Sequence, residues 1–197
     1  STNQAFINRN LSGNAFFGWT KQESNKDGIY ISIETASQGN SAPFYGFNIT
    51  SALYRKPAEG GGYAGAVIAV IDARQMFTDQ LTFSGAREKK QRAWIVDSSG
   101  IVLYHSSRQE MAMRNINSND GCGKCHDSFE QTREYLLKKE GKTEAERKTG
   151  RAIVAYATAY AANVSWTVIA DVPYNEIEAI TKSNLRNTLL LIGVIAF

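Results

Sequence analysis

The sequence predicts an α+β chain in two lobes, each a small antiparallel sheet flanked by helices, followed by a C-terminal helix that begins a transmembrane segment. Three observations predict it. Apolar and β-branched runs of strand length, bounded by turn residues, fall into two groups, Gly28 to Ile71 and Trp94 to Val172. The charged segment Arg87-Glu88-Lys89-Lys90-Gln91-Arg92 separates them. The last nine residues, Leu189 to Phe197, are uncharged and apolar, and their length is about half of what a bilayer-spanning helix needs. The expected organisation is a membrane-distal lobe over residues 1–90, a membrane-proximal lobe over 91–174, and an exit helix with the start of a transmembrane segment over 175–197.

Residues 1–27 are polar with scattered aromatics and no clear period, so they yield no element. Ile29 to Ile33 and Phe44 to Tyr54 read as strands, the second bounded by Pro43 and Pro57. Gly60-Gly61-Gly62 is a turn, and the continuous apolar run Tyr63 to Ile71 suits a buried strand. Asp72 can cap a helix through Leu81, with Met76, Phe77 and Leu81 on one face. In the second lobe, Trp94 to Val96 and Ile101 to Tyr104 flank the polar turn Asp97-Ser98-Ser99-Gly100 and form a hairpin. Arg151 to Tyr160 and Ser165 to Val172 make another pair, stopped at Pro173. Between the two pairs lies a long excursion, 106–150, whose second half, Phe129 to Lys148, is compatible with a helix. Phe129, Arg133, Leu136 and Leu137 would form its apolar edge, and Lys138 to Lys148 its solvated part. So long a connection inside a domain is usually functional.

The excursion holds Gly121-Cys122-Gly123-Lys124-Cys125-His126, which uses both cysteines and one of the two histidines of the 197-residue chain. Two thiols at this spacing can add across the two vinyl groups of one haem, and the adjacent imidazole can then bind the iron. The motif reads as attachment of one covalent haem c through Cys122 and Cys125, with His126 as axial ligand. A thioredoxin-like dithiol would need a strand before it in a βαβ unit, and a structural zinc site would need a second Cys or His pair. A simple disulfide leaves His126 unexplained. The sixth iron position is open to His105, the only other histidine, to Met111 or Met113, or to no side chain. In the last case the vacant position could take NO, CO or O₂. Lys124 and Asp127, beside the motif, read as solvated.

Composition narrows the rest. The formal net charge is +3 with 22 basic and 19 acidic residues, but the two signs are interleaved, so no nucleic-acid surface is expected. The sequence offers no nucleophile and base pair, no paired carboxylates at strand ends and no phosphate-binding glycine loop, so catalysis is not expected. Trp19, Tyr30, Tyr45 and Arg55 could line a pocket in the first lobe, though core packing explains them more simply.

The block Ala93-Trp94-Ile95-Val96-Asp97-Ser98-Ser99-Gly100-Ile101-Val102-Leu103-Tyr104-His105 resembles the valine-aspartate-x-x-glycine-x-isoleucine-leucine hairpin of Cache domains. These are PAS-like extracytoplasmic sensor modules of bacterial receptors. Ser165 to Ile177 is similar to the closing strand and exit helix of the same module, and Tyr63 to Asp72 to the last strand of a membrane-distal lobe, as in double-Cache sensors. The resemblance covers roughly residues 28 to 180. It departs from ordinary Cache domains in its haem motif, and the aromatic, arginine and aspartate pattern of amino-acid-binding members is missing from residues 1–85. The chain looks like the haem-c-containing PAS-like sensors of chemoreceptors and sensor kinases.

The resemblance implies a homodimer on the periplasmic face of the cytoplasmic membrane, anchored by its C-terminal helix, which detects redox state or a diatomic gas and signals across the membrane. The motif's relatives likewise imply haem attachment outside the cytoplasm. The alternative is a membrane-anchored monohaem c-type cytochrome that transfers electrons to a redox partner.

Overall fold

A computed structural model describes residues 12–36, 44–80, 92–117, 129–147 and 150–195. The chain divides into two compact units, Ser1–Asp79 with Tyr160–Val164, and Gln80–Ala159 with Ser165–Phe197.

The first unit is a three-stranded antiparallel sheet of β1 (Ile29–Ala36), β2 (Phe44–Tyr54) and β3 (Tyr63–Asp72), in the order β1-β2-β3. The alternation of β2 decides what each face meets. Phe47 turns to α2 (Ala73–Gln80) and packs edge-on against Phe77, ring centres 5.7 Å apart. Thr50 and Tyr54 share the opposite face with Tyr63, which touches Tyr54 edge-on and exchanges a 3.0 Å hydrogen bond with Thr20 of α1 (Ala15–Thr20). That short helix gave no periodic signal, because six residues need only Phe16 and Thr20 buried to hold it. Asp72 caps α2 as expected, its Oδ1 accepting from the Gln75 N–H at 3.0 Å. Leu81 lies outside the described residues.

The turn into β3 shows why three glycines stand together. Gly60, Gly61 and Gly62 have φ of 90°, 62° and 88°, a left-handed path that side-chain-bearing residues resist. Asn163, in the turn segment that counts with this unit, accepts from the Ile31 N–H at 2.7 Å and donates to its carbonyl at 3.0 Å.

The second unit is a five-stranded antiparallel sheet in the order β5-β4-β8-β7-β6. Its strands are β4 (Arg92–Asp97), β5 (Val102–His105), β6 (Glu140–Arg147), β7 (Gly150–Ala161) and β8 (Val164–Pro173). α3 (Phe129–Lys138) and a single 3₁₀ turn at Gln109–Met111 belong to the same unit. Trp94, Val96, Val102, Met111, Ile116, Tyr135, Ala145, Val154, Tyr156 and Ile169 make one buried core. Each fully enclosed aliphatic side chain among them contributes roughly 1.5–3 kcal/mol.

The expected helix over 129–148 is corrected: α3 ends at Lys138, and Glu140–Arg147 is an edge strand paired with β7 from Glu140↔Ala157 to Arg147↔Gly150. The break is local. Lys139 takes φ 66°, ending the helix, and Gly141 at φ 157° lies where a Cβ would meet the Tyr156 hydroxyl at 2.6 Å. The charges that suggested a solvated helix instead guard a sheet edge, with Arg151 of β7 paired to Glu144 and Glu146. The expected apolar edge of α3 is corrected as well: Leu136 packs against the core, Leu137 is 83% exposed and Arg133 is turned to another task.

After Pro173 the chain enters α4 (Tyr174–Ile195), the expected exit helix. Among the described residues no helix is long and apolar enough to cross a membrane.

Candidate functional site

Cys122, Cys125 and His126, with Lys124 and Asp127, lie outside the described residues. What the structure gives is the frame on either side. The hairpin between β4 and β5 is built around Asp97, whose Oδ1 accepts from the N–H groups of Ser99 (2.9 Å) and Ile101 (2.8 Å) and whose Oδ2 accepts from the Ser99 hydroxyl (3.0 Å). Gly100, at φ 87°, lets the returning chain close in: a Cβ there would stand 2.6 Å from Asn117 Nδ2. Residues 113–116 then run back along this hairpin, the Met113 N–H donating to Val102 O (2.7 Å), the Val102 N–H to Arg114 O (2.9 Å) and the Ile116 N–H to Gly100 O (2.8 Å).

Arg133 on α3 holds the point where this path ends. Its Nε donates to Asn117 Oδ1 at 2.9 Å and its Nη2 to Ile116 O at 3.1 Å. Residues 118–128, which contain the haem motif, therefore connect two points tied together by one guanidinium. With β6 joined to the sheet, the long excursion of the sequence reduces to that connection plus one short return path.

The three expected sixth ligands take different places. His105 ends β5 opposite Trp94, lies 3% exposed, and stacks on the indole at 5.7 Å between centres and 11° between planes. The Ser107 N–H donates to its Nδ1 at 3.3 Å, and a nitrogen that accepts from a backbone N–H carries no proton. In the neutral ring the proton is then on Nε2. Met111 is fully enclosed in the core. Met113 is half-buried, with φ at 67°.

A second centre, missed by sequence reasoning, lies at the end of β8. Asp171 is 1% exposed, and its Oδ2 accepts from Arg92 Nη2 at 2.9 Å and from Arg147 Nε at 3.2 Å. Arg92 is 33% and Arg147 9% exposed. Arg147 also donates through Nη1 to Gln131 Oε1 on α3 at 3.2 Å. One turn along α3, Tyr135 stacks on Tyr156 with centres 4.5 Å apart. Burial pushes the Tyr135 hydroxyl above its ordinary pKa, Arg147 opposes the rise, and Glu134, Tyr156 and Asp171 add to it. The one available signal was a lone carboxylate in the otherwise apolar run Val168-Ile169-Ala170-Asp171-Val172.

In the first unit, the four residues considered as pocket-lining do not converge. Trp19 and Tyr30 pack on each other at 5.3 Å, Tyr45 lies under the Arg74 guanidinium at 5.9 Å, and Arg55 is exposed.

Comparison with known proteins adds the fold. No family model matches the chain, and no curated protein matches its sequence. Among solved structures, it is similar to the periplasmic sensory domain of the Campylobacter jejuni chemoreceptor Tlp1. The TM-score is 0.59 and the identity 15%, over 87% of this chain and 57% of that one. It is also similar to the ligand-binding domain of the Pseudomonas aeruginosa PAO1 amino acid chemoreceptor PctC in complex with GABA, at TM-score 0.56 and 12% identity over 84% and 64% of the two chains. The corresponding domain of PctB in complex with L-Arg gives TM-score 0.52 and 15% identity over 87% and 64%. At these identities the likeness is one of fold: a mixed α+β, antiparallel sensor-domain fold of the PAS-like and Cache type. The chain spans about 57 to 64% of the length of these structures.

Proposed function

We propose that the chain is the extracytoplasmic sensory domain of a membrane receptor, that it carries one haem c on Cys122, Cys125 and His126, and that it reads redox state or a diatomic gas. It does so as a binding and signalling module rather than as an enzyme. The observation that carries the reading is a complete Cys-x-x-Cys-His set within residues 118–128, a connection between the clamped ends of a sensor-type fold. The fold is shared with the periplasmic sensory domain of a chemoreceptor, which supports a periplasmic location; anchorage through the C-terminal helix and action as a homodimer belong to the same proposal.

The donor chemistry of the motif fits the group: two thiols for the thioether links and an imidazole for the iron, supplied by one hexapeptide. When bound, the haem would supply a one-electron redox centre, with a coordination position that a diatomic gas could take in exchange for a side chain. The remaining chemistry is the chain's own. His105 is 3% exposed, stacked on Trp94 and engaged at Nδ1 by the Ser107 N–H, so its ring is held within the sheet. Met111 is committed to the core. Met113, half-buried on the return path that leads to residue 117, is the side chain we assign to the sixth position.

The test is spectroscopic. Protein matured in a periplasm with haem-attachment machinery is expected to keep its Soret band through acid-acetone extraction, and Cys122→Ala with Cys125→Ala to lose it. A wild-type protein that gives up its chromophore to acid-acetone, or never acquires one, sinks the reading. Met113→Ala is expected to convert the ferrous spectrum to one that binds CO without displacing a ligand, and His105→Gln to leave it unchanged. The reverse pattern would assign His105.

A further inference from the structure

β3 is uncharged from Tyr63 to Ile71, the composition of a buried strand, yet it stands at the end of the sheet order β1-β2-β3. None of its ten residues is buried, and Val67 and Val70 are 52% and 41% exposed. A long apolar edge without charge or proline invites pairing with another strand. The other sheet edges among the described residues are guarded. β6 is lined with charges, residues 113–116 run along β5, and Asn163 occupies both the N–H and the carbonyl of Ile31 on β1.

Those Asn163 bonds also fix which groups of β3 face outward. Ile31 turns its N–H and carbonyl away from β2, so its partner Ile49 turns its own towards β3, where it meets Ala69. Ala66, Ile68 and Val70, at the alternate positions, therefore direct their N–H and carbonyl groups to the free edge.

The second unit shows what such an edge takes. There α3 precedes the neighbouring strands β6, β7 and β8, and β8 leads into α4; in the first unit α1 precedes β1, β2 and β3, and β3 leads into α2. β8, the equivalent of β3, is an inner strand. It pairs with β7 on one side and antiparallel with β4 on the other, and its Thr167, Ile169 and Asp171 are buried. The hairpin that covers it, β4 with β5, comes before α3 in the chain. Residues 1–14, before α1, contain no apolar run of strand length.

We propose that the free edge of β3 receives a strand from receptor sequence upstream of Ser1, antiparallel to β3 as β4 is to β8, so that β3 becomes an inner strand of a larger sheet. Pairing of this kind draws its affinity from main-chain hydrogen bonds, here at Ala66, Ile68 and Val70. The length relation agrees with it, since the solved sensor domains of this fold are longer than this chain, which spans 57 to 64% of them. The inference is independent of the haem motif.

Amide exchange and cross-strand contacts, read by NMR on the receptor's whole extracytoplasmic region, test it. The N–H groups of Ala66, Ile68 and Val70 are expected to be protected within about tenfold of those of Val67 and Ala69, which face β2, and to contact residues upstream of Ser1. In the 197-residue chain the same three are expected to exchange about a hundredfold faster than Val67 and Ala69. Val70→Pro removes an outward donor, so it is expected to leave the melting temperature of the 197-residue chain nearly unchanged and to lower that of the longer region. The proposal is overturned by fast exchange at the three amides in the longer region, by Val70→Pro acting alike on both proteins, or by protection that rises with protein concentration, which would make a second copy the occupant.

Discussion

Replacing Asp171 by Asn removes the only charge that faces Arg147 from β8 while keeping the volume of the side chain. The two guanidiniums then respond differently. Arg147 is 9% exposed and has little access to water, so it is left as a largely buried, uncompensated cation; breaking such a pair costs about 3–5 kcal/mol. Arg92 is 33% exposed and turns outward, which puts its share near the surface value of about 0–1 kcal/mol. The amide oxygen of Asn still accepts one hydrogen bond and offsets part of the loss, leaving about 3 kcal/mol for Asp171→Asn. Arg147→Met should cost less, about 2 kcal/mol, because the carboxylate keeps Arg92, and Arg92→Met about 1 kcal/mol. Urea unfolding followed by the fluorescence of Trp94 and Trp166, in a Trp19→Phe background that silences the first unit, reads the three variants. The reasoning fails if Asp171→Asn unfolds within 1 kcal/mol of its parent, a margin of about fivefold in the equilibrium constant, or if Arg92→Met proves the more damaging of the two arginine variants.

Gly100→Ala puts a Cβ 2.6 Å from Asn117 Nδ2 at a φ of 87°, and should cost about 2 kcal/mol, a fall of roughly 4–8 °C in melting temperature; an unchanged melt would show that the turn relaxes freely. The tyrosine proton makes a pH prediction. Burial raises the Tyr135 pKa above its ordinary value of 10.0, so the folded state keeps a proton that the unfolded chain loses. Stability is unaffected below that pH and falls as pH rises from it through the folded pKa. Tyr135→Phe should therefore flatten the alkaline limb of the melting curve against pH, and an unaltered limb would mean the hydroxyl titrates normally. In haem-loaded protein, Arg147→Met removes a cation that favours the reduced form. Its midpoint potential should fall, by about 120 mV if the charge acts across roughly 6 Å at an effective dielectric near 20, the range the proposed sensor requires, and by about 60 mV if across roughly 12 Å.

The strands of both units were legible wherever an apolar run met a turn with chemistry of its own. Asp97-Ser98-Ser99-Gly100 announces a hairpin because an aspartate that accepts three hydrogen bonds and a glycine at positive φ leave few other paths. β6 was illegible for the opposite reason. Glu140-Gly141-Lys142-Thr143-Glu144-Ala145-Glu146-Arg147 buries only Ala145, and what makes it a strand is its ladder with β7, a partner that no local window contains. The charged centre of Asp171 was hidden likewise. Arg92, Gln131, Arg147 and Asp171 are dispersed over 80 residues of sequence, and only the strand order β4-β8-β7-β6 with α3 against it brings them together. The Cys-x-x-Cys-His motif is a signal of another kind: it lies outside the described residues, and the chemistry proposed for it is complete within six residues of sequence.

If the chain is the proposed sensor, a charge at the haem has to act on α4, which is a question of energy. The described residues supply the second half of such a path: Gln131 on α3, Arg147 on β6 and Asp171 on β8 are joined by hydrogen bonds, and β8 runs through Pro173 into α4, where the Arg151 guanidinium lies 5.0 Å from the centre of the Tyr174 ring. One added electron about 6 Å from such a group is worth about 3 kcal/mol at an effective dielectric near 20, a factor of about a hundred in a two-state equilibrium. That factor carries a state populated to about a tenth into clear majority. At about 12 Å the factor drops to about ten, which brings the same state only to parity. A receptor therefore requires its charge within the shorter range of Arg147, whereas an electron carrier gains nothing from it. The size of the Arg147→Met shift in potential thus measures which of the two this arrangement serves.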